Sequence, residues 1–327
     1  MTQLPGLHPP LLAVREAVGR ALAEDLLPLG DLTASLLPVD RRTDARLVAR
    51  AEGVLAGRAC ATEAFVQVDP STAVAWQLDD SAPLTPGRTI ATVCGPAGSV
   101  LSAERTALNF LCHLSGVATT TRRFVDRAQA ANPATRILDT RKTTPGLRAL
   151  EKAAVRAGGG VNHRGSLSDG VLVKDNHLGA LTIADAVARA RRGWPGRLLE
   201  VECDRPEQVA EAVASGAGQV LLDNMTPDEV AGCVAMVRER DPGGLGGARV
   251  LVEVSGGVTL DSVGAFAAAG ADLISVGAIT HSAPALDIAL DLAMVAGPGG
   301  RPGGEAGPGG RPGGEAGPGG RPGGVEA

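Results

Sequence analysis

The sequence predicts an α/β protein whose site lies along one end of a parallel sheet, and three observations carry that prediction. From residue 136 onward, apolar runs of strand length alternate with helical patterns. The runs are continuously apolar, as in strands covered on both faces, and do not show the alternation of a half-solvated sheet. The residues that follow them are polar or glycine-rich: Asp139-Thr140-Arg141-Lys142, Lys174-Asp175-Asn176-His177, Glu202, Asp223-Asn224, Ser255-Gly256-Gly257 and Gly277-Ala278. In parallel α/β folds ligands bind at the carboxyl ends of the strands. A single polar group there is an ordinary helix cap, whereas polar groups after every strand describe a site.

Taken in order, residues 11–27 show helical periodicity through Leu12, Val14, Val18, Leu22 and Leu26, and Leu29-Gly30-Asp31-Leu32-Thr33 breaks it. Asp31 and Thr33 read as a cap or turn. Short β-like runs follow at 46–51 and 54–57 around the turn Glu52-Gly53, then a helix over 60–68 and strands over 74–78 and 89–94, separated by Pro86-Gly87. This first region reads as a small α+β unit with hairpin-like strands. Residues 95–98 read as a loop, and 102–131 as a long helix capped by Ser102 and open to a break near Ser115-Gly116. Leu108, Leu111 and Cys112 form its apolar stripe, and Arg105 stands off it. The periodic part then places strands at 136–138, 170–173, 198–201, 219–222, 249–254 and 273–276. Helices fall at 146–157, 183–192, 206–215, 227–239 and 260–269. About six such units suffice to approach a barrel of the eightfold α/β type.

Composition bounds the partners. The chain has 327 residues, 44% apolar, with a formal net charge of −5, so no global basic field invites nucleic acid. Aromatic residues are only 2% and Tyr is absent, which leaves no stacking platform for bases. The five cysteines, Cys60, Cys94, Cys112, Cys203 and Cys233, show no metal or redox spacing and read as reduced apolar residues. No apolar run is long enough to span a bilayer, and residues 1–10 lack the pattern of a secretory leader, so a cytoplasmic protein is expected. From Gly297 a repeated G-P-G-G-R-P-G-G-E-A unit offers nothing apolar to bury and is expected to be a disordered tail, with the fold ending near Val295.

The cations Arg141, Lys142, His163, Arg164 and Lys174 converge on one end of the sheet of an otherwise acidic protein. Clustered like charges repel unless an anion sits among them, so a small, multiply negative ligand is implied. Ser255-Gly256-Gly257 and Gly277-Ala278, after the last two strands, suit a phosphate group, because glycines let backbone N–H groups approach its oxygens. Lys142 suits a second phosphate. Arg141, His163, Arg164 and Lys174 then remain for a carboxylate-bearing partner, which a planar guanidinium matches. Glu202 and Asp223 end consecutive strands; they can hold a divalent cation, accept from sugar hydroxyls, or simply pair with the neighbouring cations. These residues alone describe a barrel enzyme for a phosphorylated sugar, a metal ion and a carboxylate; they do not fix the reaction.

These segments, with Gly30-Asp31-Leu32-Thr33, Ser102-Ala103-Glu104-Arg105-Thr106-Ala107-Leu108-Asn109-Phe110-Leu111, Leu114-Ser115-Gly116-Val117-Ala118-Thr119, Gly159-Gly160-Val161-Asn162-His163-Arg164 and Glu253-Val254-Ser255-Gly256-Gly257, resemble the quinolinate phosphoribosyltransferases, also called carboxylating nicotinate-nucleotide pyrophosphorylases. The likeness covers residues 11–292 and leaves out only the tail and the Gly-rich insert 242–247. The resemblance implies an incomplete (open) α/β barrel with an N-terminal α/β sandwich domain completed by the C-terminal segment. The expected divisions are 1–118 (sandwich), 119–280 (barrel), 281–296 (return to the sandwich) and 297–327 (tail). It implies formation of nicotinate mononucleotide, CO2 and pyrophosphate from quinolinate and 5-phosphoribosyl-1-pyrophosphate, a step toward NAD, with Mg2+ as cofactor. Arg105, Arg141, His163, Arg164 and Lys174 match quinolinate-binding positions, Arg105 reaching in from the neighbouring subunit of a homodimer. Lys142 matches a residue near the pyrophosphate. Glu202 and Asp223 match ribose and magnesium contacts, direct or indirect. Ser255, Gly256, Gly257, Gly277 and Ala278 match the 5′-phosphate site. Lys142, Lys174, Glu202 and Asp223 form the implied catalytic set. The alternatives are a phosphoribosyltransferase for another carboxylated acceptor such as nicotinate, a Schiff-base aldolase-type barrel using Lys174, and a non-catalytic phosphometabolite-binding protein.

Overall fold

The computed structural model describes residues 8–240 and 249–294. The expectations for residues 1–7, for the insert 242–247, for the end of the fold near Val295 and for the tail 297–327 lie outside the described residues.

Helix α1 (Leu11–Leu26) buries Val14, Ala17, Val18 and Leu22 along one face. The break after it is a 3-10 turn at Ala34–Leu36, organised by Asp31: one carboxylate oxygen accepts from Thr33 N–H at 3.0 Å and Ala34 N–H at 2.8 Å, the other from the Ser102 hydroxyl at 2.9 Å. Strand β1 (Arg42–Ala49) follows; Thr43, Ala45 and Leu47 point inward between exposed Arg42, Asp44 and Arg46, the period of two that a half-buried strand requires. Next come β2 (Gly53–Val54), α2 (Arg58–Val68), β3 (Ala73–Trp76), β4 (Pro83–Leu84), β5 (Thr89–Pro96) and α3 (Ala97–Ala131).

Three expectations for this region are corrected. β1 and β2 do not form a hairpin around Glu52-Gly53: β1 pairs with β5, and β2 pairs with β4. Residues 95–98 are not a loop, because β5 runs straight into α3. α3 neither starts at Ser102 nor breaks at Ser115-Gly116; it is one helix of 35 residues. Ser102 lies inside it and donates to Asp31, not to its own helix terminus. Gly116 is a close-approach residue: a Cβ there would lie 2.1 Å from the Pro284 carbonyl oxygen. Propensity reads a mid-helix glycine as a weak point, and tertiary contact decides otherwise.

After α3 the chain runs β6 (Arg136–Leu138), α4 (Arg148–Ala157), β7 (Gly170–Val173), the single turn α5 (Asp175–Leu178), α6 (Ile183–Gly193), β8 (Leu198–Cys203), α7 (Pro206–Ser215), β9 (Gln219–Asp223), α8 (Pro227–Arg240), β10 (Leu251–Ser255), α9 (Val263–Ala268), β11 (Leu273–Ser275) and α10 (Ala278–His281). Local chemistry sets the boundaries. α7, for example, starts on Pro206, whose fixed φ suits the first helical position, and stops at Gly216, whose φ of +89° suits a left-handed cap. The strands form one parallel sheet in the order β6-β11-β10-β9-β8-β7. Val173, Val201, Leu222, Val254 and Ile274 are buried in the core. β6 and β7 are consecutive in sequence yet occupy opposite edges, so the barrel is open between them. A bridge from Val161 to Leu138 lays the segment after α4 alongside β6. That bridge brings residues 161–164 beside residues 139–142.

The chain then returns. β12 (Ile288–Met294) pairs antiparallel with β1, giving a second, four-stranded sheet in the order β12-β1-β5-β3. This second sheet therefore joins strands from before and after the parallel one in the sequence.

Candidate active site

At the carboxyl ends of the parallel strands lies a cavity of about 630 Å³. Thr140, Arg141 and Lys142 enter it after β6, His163 and Arg164 from the segment beside β6, and Lys174 after β7. Glu202, Asp223, Asn224, Ser255, Gly256, Gly257 and Ser275 complete the wall from the ends of β8 to β11. Ten of the predicted residues thus share one cavity: Arg141, Lys142, His163, Arg164, Lys174, Glu202, Asp223, Ser255, Gly256 and Gly257. Gly277 stands against it, since a Cβ there would lie 3.3 Å from Cδ of Lys142. Ala278 begins α10 directly behind Gly277. Arg105 is elsewhere within this chain: it is exposed on α3 and lines a separate cavity of about 250 Å³ with Asn109, His113 and Leu147.

The glycine loop is built by steric necessity. Gly256 has φ +92°, and a Cβ there would fall 2.2 Å from Asn224 Oδ1 and 2.8 Å from Asn224 N. Asn224 itself sits at φ +57° and donates its backbone N–H to Ser255 O at 3.0 Å. The Asp223-Asn224 turn and the Ser255-Gly257 turn are therefore packed backbone to backbone, and only glycine at 256 permits it.

Glu202 is ion-paired with Lys174, and Asp223 accepts from the Asn224 side-chain amide at 2.8 Å. The ion-pair reading of Glu202 thus holds within this structure. As a donor set the two carboxylates suit Mg2+, which takes oxygen ligands and characteristically uses one or two carboxylates with substrate phosphates. They end the adjacent strands β8 and β9, facing the same cavity.

The cavity floor, which Glu253 also lines, rests on a polar cluster whose Glu200, Gln219 and Glu253 reading the sequence missed. His163 Nδ1 accepts from Arg164 N–H at 2.8 Å, which places the ring hydrogen on Nε2. Nε2 faces Glu200 Oε2 at 3.0 Å and Glu253 Oε2 at 3.6 Å. The Gln219 amide donates to both carboxylates, and the Ser275 hydroxyl donates to Glu253. His163, Glu200 and Glu253 bring ligand atoms within 4.8 Å of one another, the spacing of a metal cage. Every one of those carboxylate oxygens already accepts a hydrogen from protein, so the set is a hydrogen-bonded network. Burial, then the neighbouring Glu200 charge, holds the Glu253 carboxyl well above the usual glutamate range. The signal was an acidic residue inside an apolar strand, L-E-V and V-E-V, which periodicity alone assigns only to burial.

A second group, on α4, holds the cation-bearing loops. Lys152 is buried and pairs with Asp139, and its ammonium also donates to His163 O at 2.9 Å. Asp139 further accepts from His163 N–H at 2.9 Å and from the Asn162 amide. Glu151 is fully buried, accepting from Thr144 N–H at 3.1 Å and facing His113 Nε2 at 2.8 Å. Burial raises the Asp139 pKa against the opposing charge of Lys152, and lowers that of Lys152 itself. Burial, with Arg141 as the next cause, lowers the pKa of Arg164, so the two guanidiniums feel one another. Arg148, Glu151, Lys152 and Arg156 recur at helical spacing on one face of α4, a pattern present in the sequence that the reading of residues 146–157 as a helix did not single out.

Known proteins place this architecture. Residues 117–291 match the family model described as quinolinate phosphoribosyl transferase, C-terminal domain, and residues 31–115 match the corresponding N-terminal domain. A probable carboxylating nicotinate-nucleotide pyrophosphorylase of Bacillus subtilis is 40% identical over 288 residues, covering 86% of this chain and 94% of that protein. The Mycobacterium leprae protein of that name is 40% identical over 284 residues, covering 86% and 97%. Among solved structures, the nicotinate-nucleotide pyrophosphorylase from Francisella tularensis superposes with a TM-score of 0.80 at 37% identity, covering 87% of this chain and 97% of that one. The chain belongs to the quinolinate phosphoribosyltransferase family.

Proposed function

We propose that this chain catalyses transfer of phosphoribose to quinolinate with decarboxylation, giving nicotinate mononucleotide, CO2 and pyrophosphate on the route to NAD. The observation that carries this reading is the single cavity in which Arg141, Lys142, Arg164 and Lys174 face the glycine turn Ser255-Gly256-Gly257 across Glu202 and Asp223. Such a pocket suits one ligand bearing carboxylates and another bearing phosphates.

Arg141, Arg164 and Lys174 hold the quinolinate carboxylates, with His163 in the same wall. The Ser255-Gly257 turn, Gly277 and Ala278 receive the 5′-phosphate, and Glu202 and Asp223 meet the ribose. Lys142, lying along Gly277, balances charge on the departing pyrophosphate. Glu202 and Asp223 would hold Mg2+, directly or through water, and the bound ion would supply further neutralisation of that charge. The ring nitrogen forms its bond to C1 of the sugar as the C1–O bond to pyrophosphate breaks. The C2–carboxylate bond then breaks, its electron pair stays on C2 beside the cationic nitrogen, and C2 takes up a proton. The protein's contribution is to hold that geometry and exclude competing orientations.

Arg105 acts from a second copy of the chain in a homodimer. It is exposed on α3 and outside its own cavity. The nearby segment exposes Leu27, Leu29, Leu32 and Leu36 and is tied to α3 through Asp31 and Ser102, a surface suited to a partner. No helix among the described residues is long and apolar enough to cross a membrane.

The test is to supply purified protein with quinolinate and phosphoribosyl pyrophosphate, with and without Mg2+, and to measure mononucleotide and pyrophosphate. Equal yields that depend on quinolinate support the reading. Mononucleotide formed from nicotinate alone points to the other acceptor. A borohydride-trapped adduct on Lys174 supports the aldolase-type alternative, although the pairing of Lys174 with Glu202 suits a charged binder better than an amine nucleophile.

A further inference from the structure

Arg148 opens α4 and donates three hydrogen bonds from one guanidinium. Nε reaches Thr143 Oγ1 at 3.1 Å, Nη2 reaches Arg141 O at 3.2 Å, and Nη1 reaches Gly165 O at 3.1 Å. The first two acceptors belong to the connection between β6 and α4, the third to the connection between α4 and β7. Those two connections deliver Arg141 with Lys142, and His163 with Arg164. Arg148 itself is absent from the cavity wall.

This arrangement works against electrostatics in two ways. A cation at the start of a helix meets the positive end of the helix dipole. It also adds charge to a region where Arg141 and Arg164 already perturb one another. The three acceptors are two carbonyls and a hydroxyl, none of them a carboxylate, so charge balance does not explain the residue. What a guanidinium offers and an ammonium cannot is a rigid planar fork that reaches three acceptors in fixed directions.

We propose that Arg148 is the positioning residue that sets the spacing between the two cation-bearing loops, and so the fit of the pocket to a ligand with two adjacent carboxylates. Mutual repulsion drives Arg141 and Arg164 apart when no anion lies between them. The Arg148 bridge from Arg141 O to Gly165 O resists that separation. The quinolinate end of the cavity is held ready, while the glycine turn at the ends of β9 and β10 does not depend on it. The role rests on the reaction proposed above.

Arg148→Lys keeps the charge and removes the fork. Steady-state kinetics with each substrate varied in turn should show KM for quinolinate raised by about tenfold or more, the loss of one or two hydrogen bonds of the charged kind. KM for phosphoribosyl pyrophosphate should rise much less, by no more than about threefold, because of its proposed contacts only Lys142 lies on a clamped loop and the Ser255-Gly257 turn lies on the other wall. Added guanidinium should restore part of the quinolinate affinity of Arg148→Ala, where a cavity of matching shape is left. An unchanged KM for quinolinate overturns the proposal, as does an equal rise for both substrates together with a lowered melting temperature. Should Arg148→Lys fail to fold, Thr143→Val removes one bond of the clamp without changing side-chain shape, and it should raise KM for quinolinate alone by about threefold. A wild-type chain that does not turn over quinolinate sinks the proposed reaction and this role with it. An active wild type with an indifferent Arg148→Lys sinks only this role.

Discussion

Replacing Lys152 by Met should destabilise the protein severely, and the structure gives the size of the effect. Side-chain exposure is 8% for Lys152 and 0% for Asp139, so the change strands a buried carboxylate without the ammonium it is paired with. Breaking a buried pair from one side costs about 3–5 kcal/mol. With an unfolding entropy of about 2.1 cal/mol/K per residue, a chain of this length loses about 1.5 °C per kcal/mol, hence about 4–7 °C of melting temperature. The loss should also depend on pH with a definite sign. Burial already raises the Asp139 pKa from 3.8, and Lys152 opposes that rise. Without Lys152 the folded-state value rises further. A group with a raised folded pKa contributes fully below its unfolded value and loses that contribution as pH rises through the folded one. The deficit of Lys152→Met relative to wild type should therefore shrink as pH falls toward 3.8. Melting curves between neutral pH and that limit test both statements. Asp139→Asn in the Lys152→Met background should recover part of the loss at neutral pH. A deficit under about 1 kcal/mol, or one that does not change with pH, would refute the buried-pair account.

Other consequences follow from separate features. Gly256→Ala forces a Cβ against Asn224 at 2.2 Å and should abolish binding of phosphoribosyl pyrophosphate while leaving the fold intact by circular dichroism; calorimetry reads the binding. Glu253→Gln imitates the protonated carboxyl that burial favours, so it should match or exceed wild-type stability as pH rises above the ordinary glutamate value of 4.5, in the window where wild type loses stability. Denaturant titrations at several pH values measure the difference. Arg105→Ala and Lys142→Ala chains, each inactive alone, should regain some activity once mixed dimers have formed. No recovery after demonstrated exchange would remove Arg105 from the partner's site.

Much of the site was legible because its residues obey rules of position. The strands β6 to β11 announce themselves as continuous apolar runs, and the polar residues after them fall at the one sheet end where α/β folds bind ligands. Ser255-Gly256-Gly257 could be read as a tight turn at a strand end, and the structure gives both glycines positive φ and puts the turn in the cavity wall. What stayed hidden depends on contacts that no local pattern encodes. Ser102 resembles a cap but serves the Asp31 turn from inside a helix. Gly116 resembles a break but admits the Pro284 carbonyl. β2 is too short to choose between its neighbours by pattern, and it pairs with β4. Glu200, Gln219 and Glu253 lie within the runs read as apolar strands, and nothing local shows that they are buried together in one network. The charged face of α4 with Arg148 and Lys152 carries no local sign of its role, because the loop atoms it grips, Arg141 O, His163 O and Gly165 O, are distant in sequence or set by loop geometry.

The measurement that tests the central claim most directly is release of labelled CO2 from quinolinate carrying the label in its 2-carboxylate, followed together with pyrophosphate. The account predicts release that requires phosphoribosyl pyrophosphate, equals the pyrophosphate formed, and falls in Lys142→Ala and Lys174→Ala. A folded protein that binds both substrates but liberates pyrophosphate without labelled CO2 would contradict it.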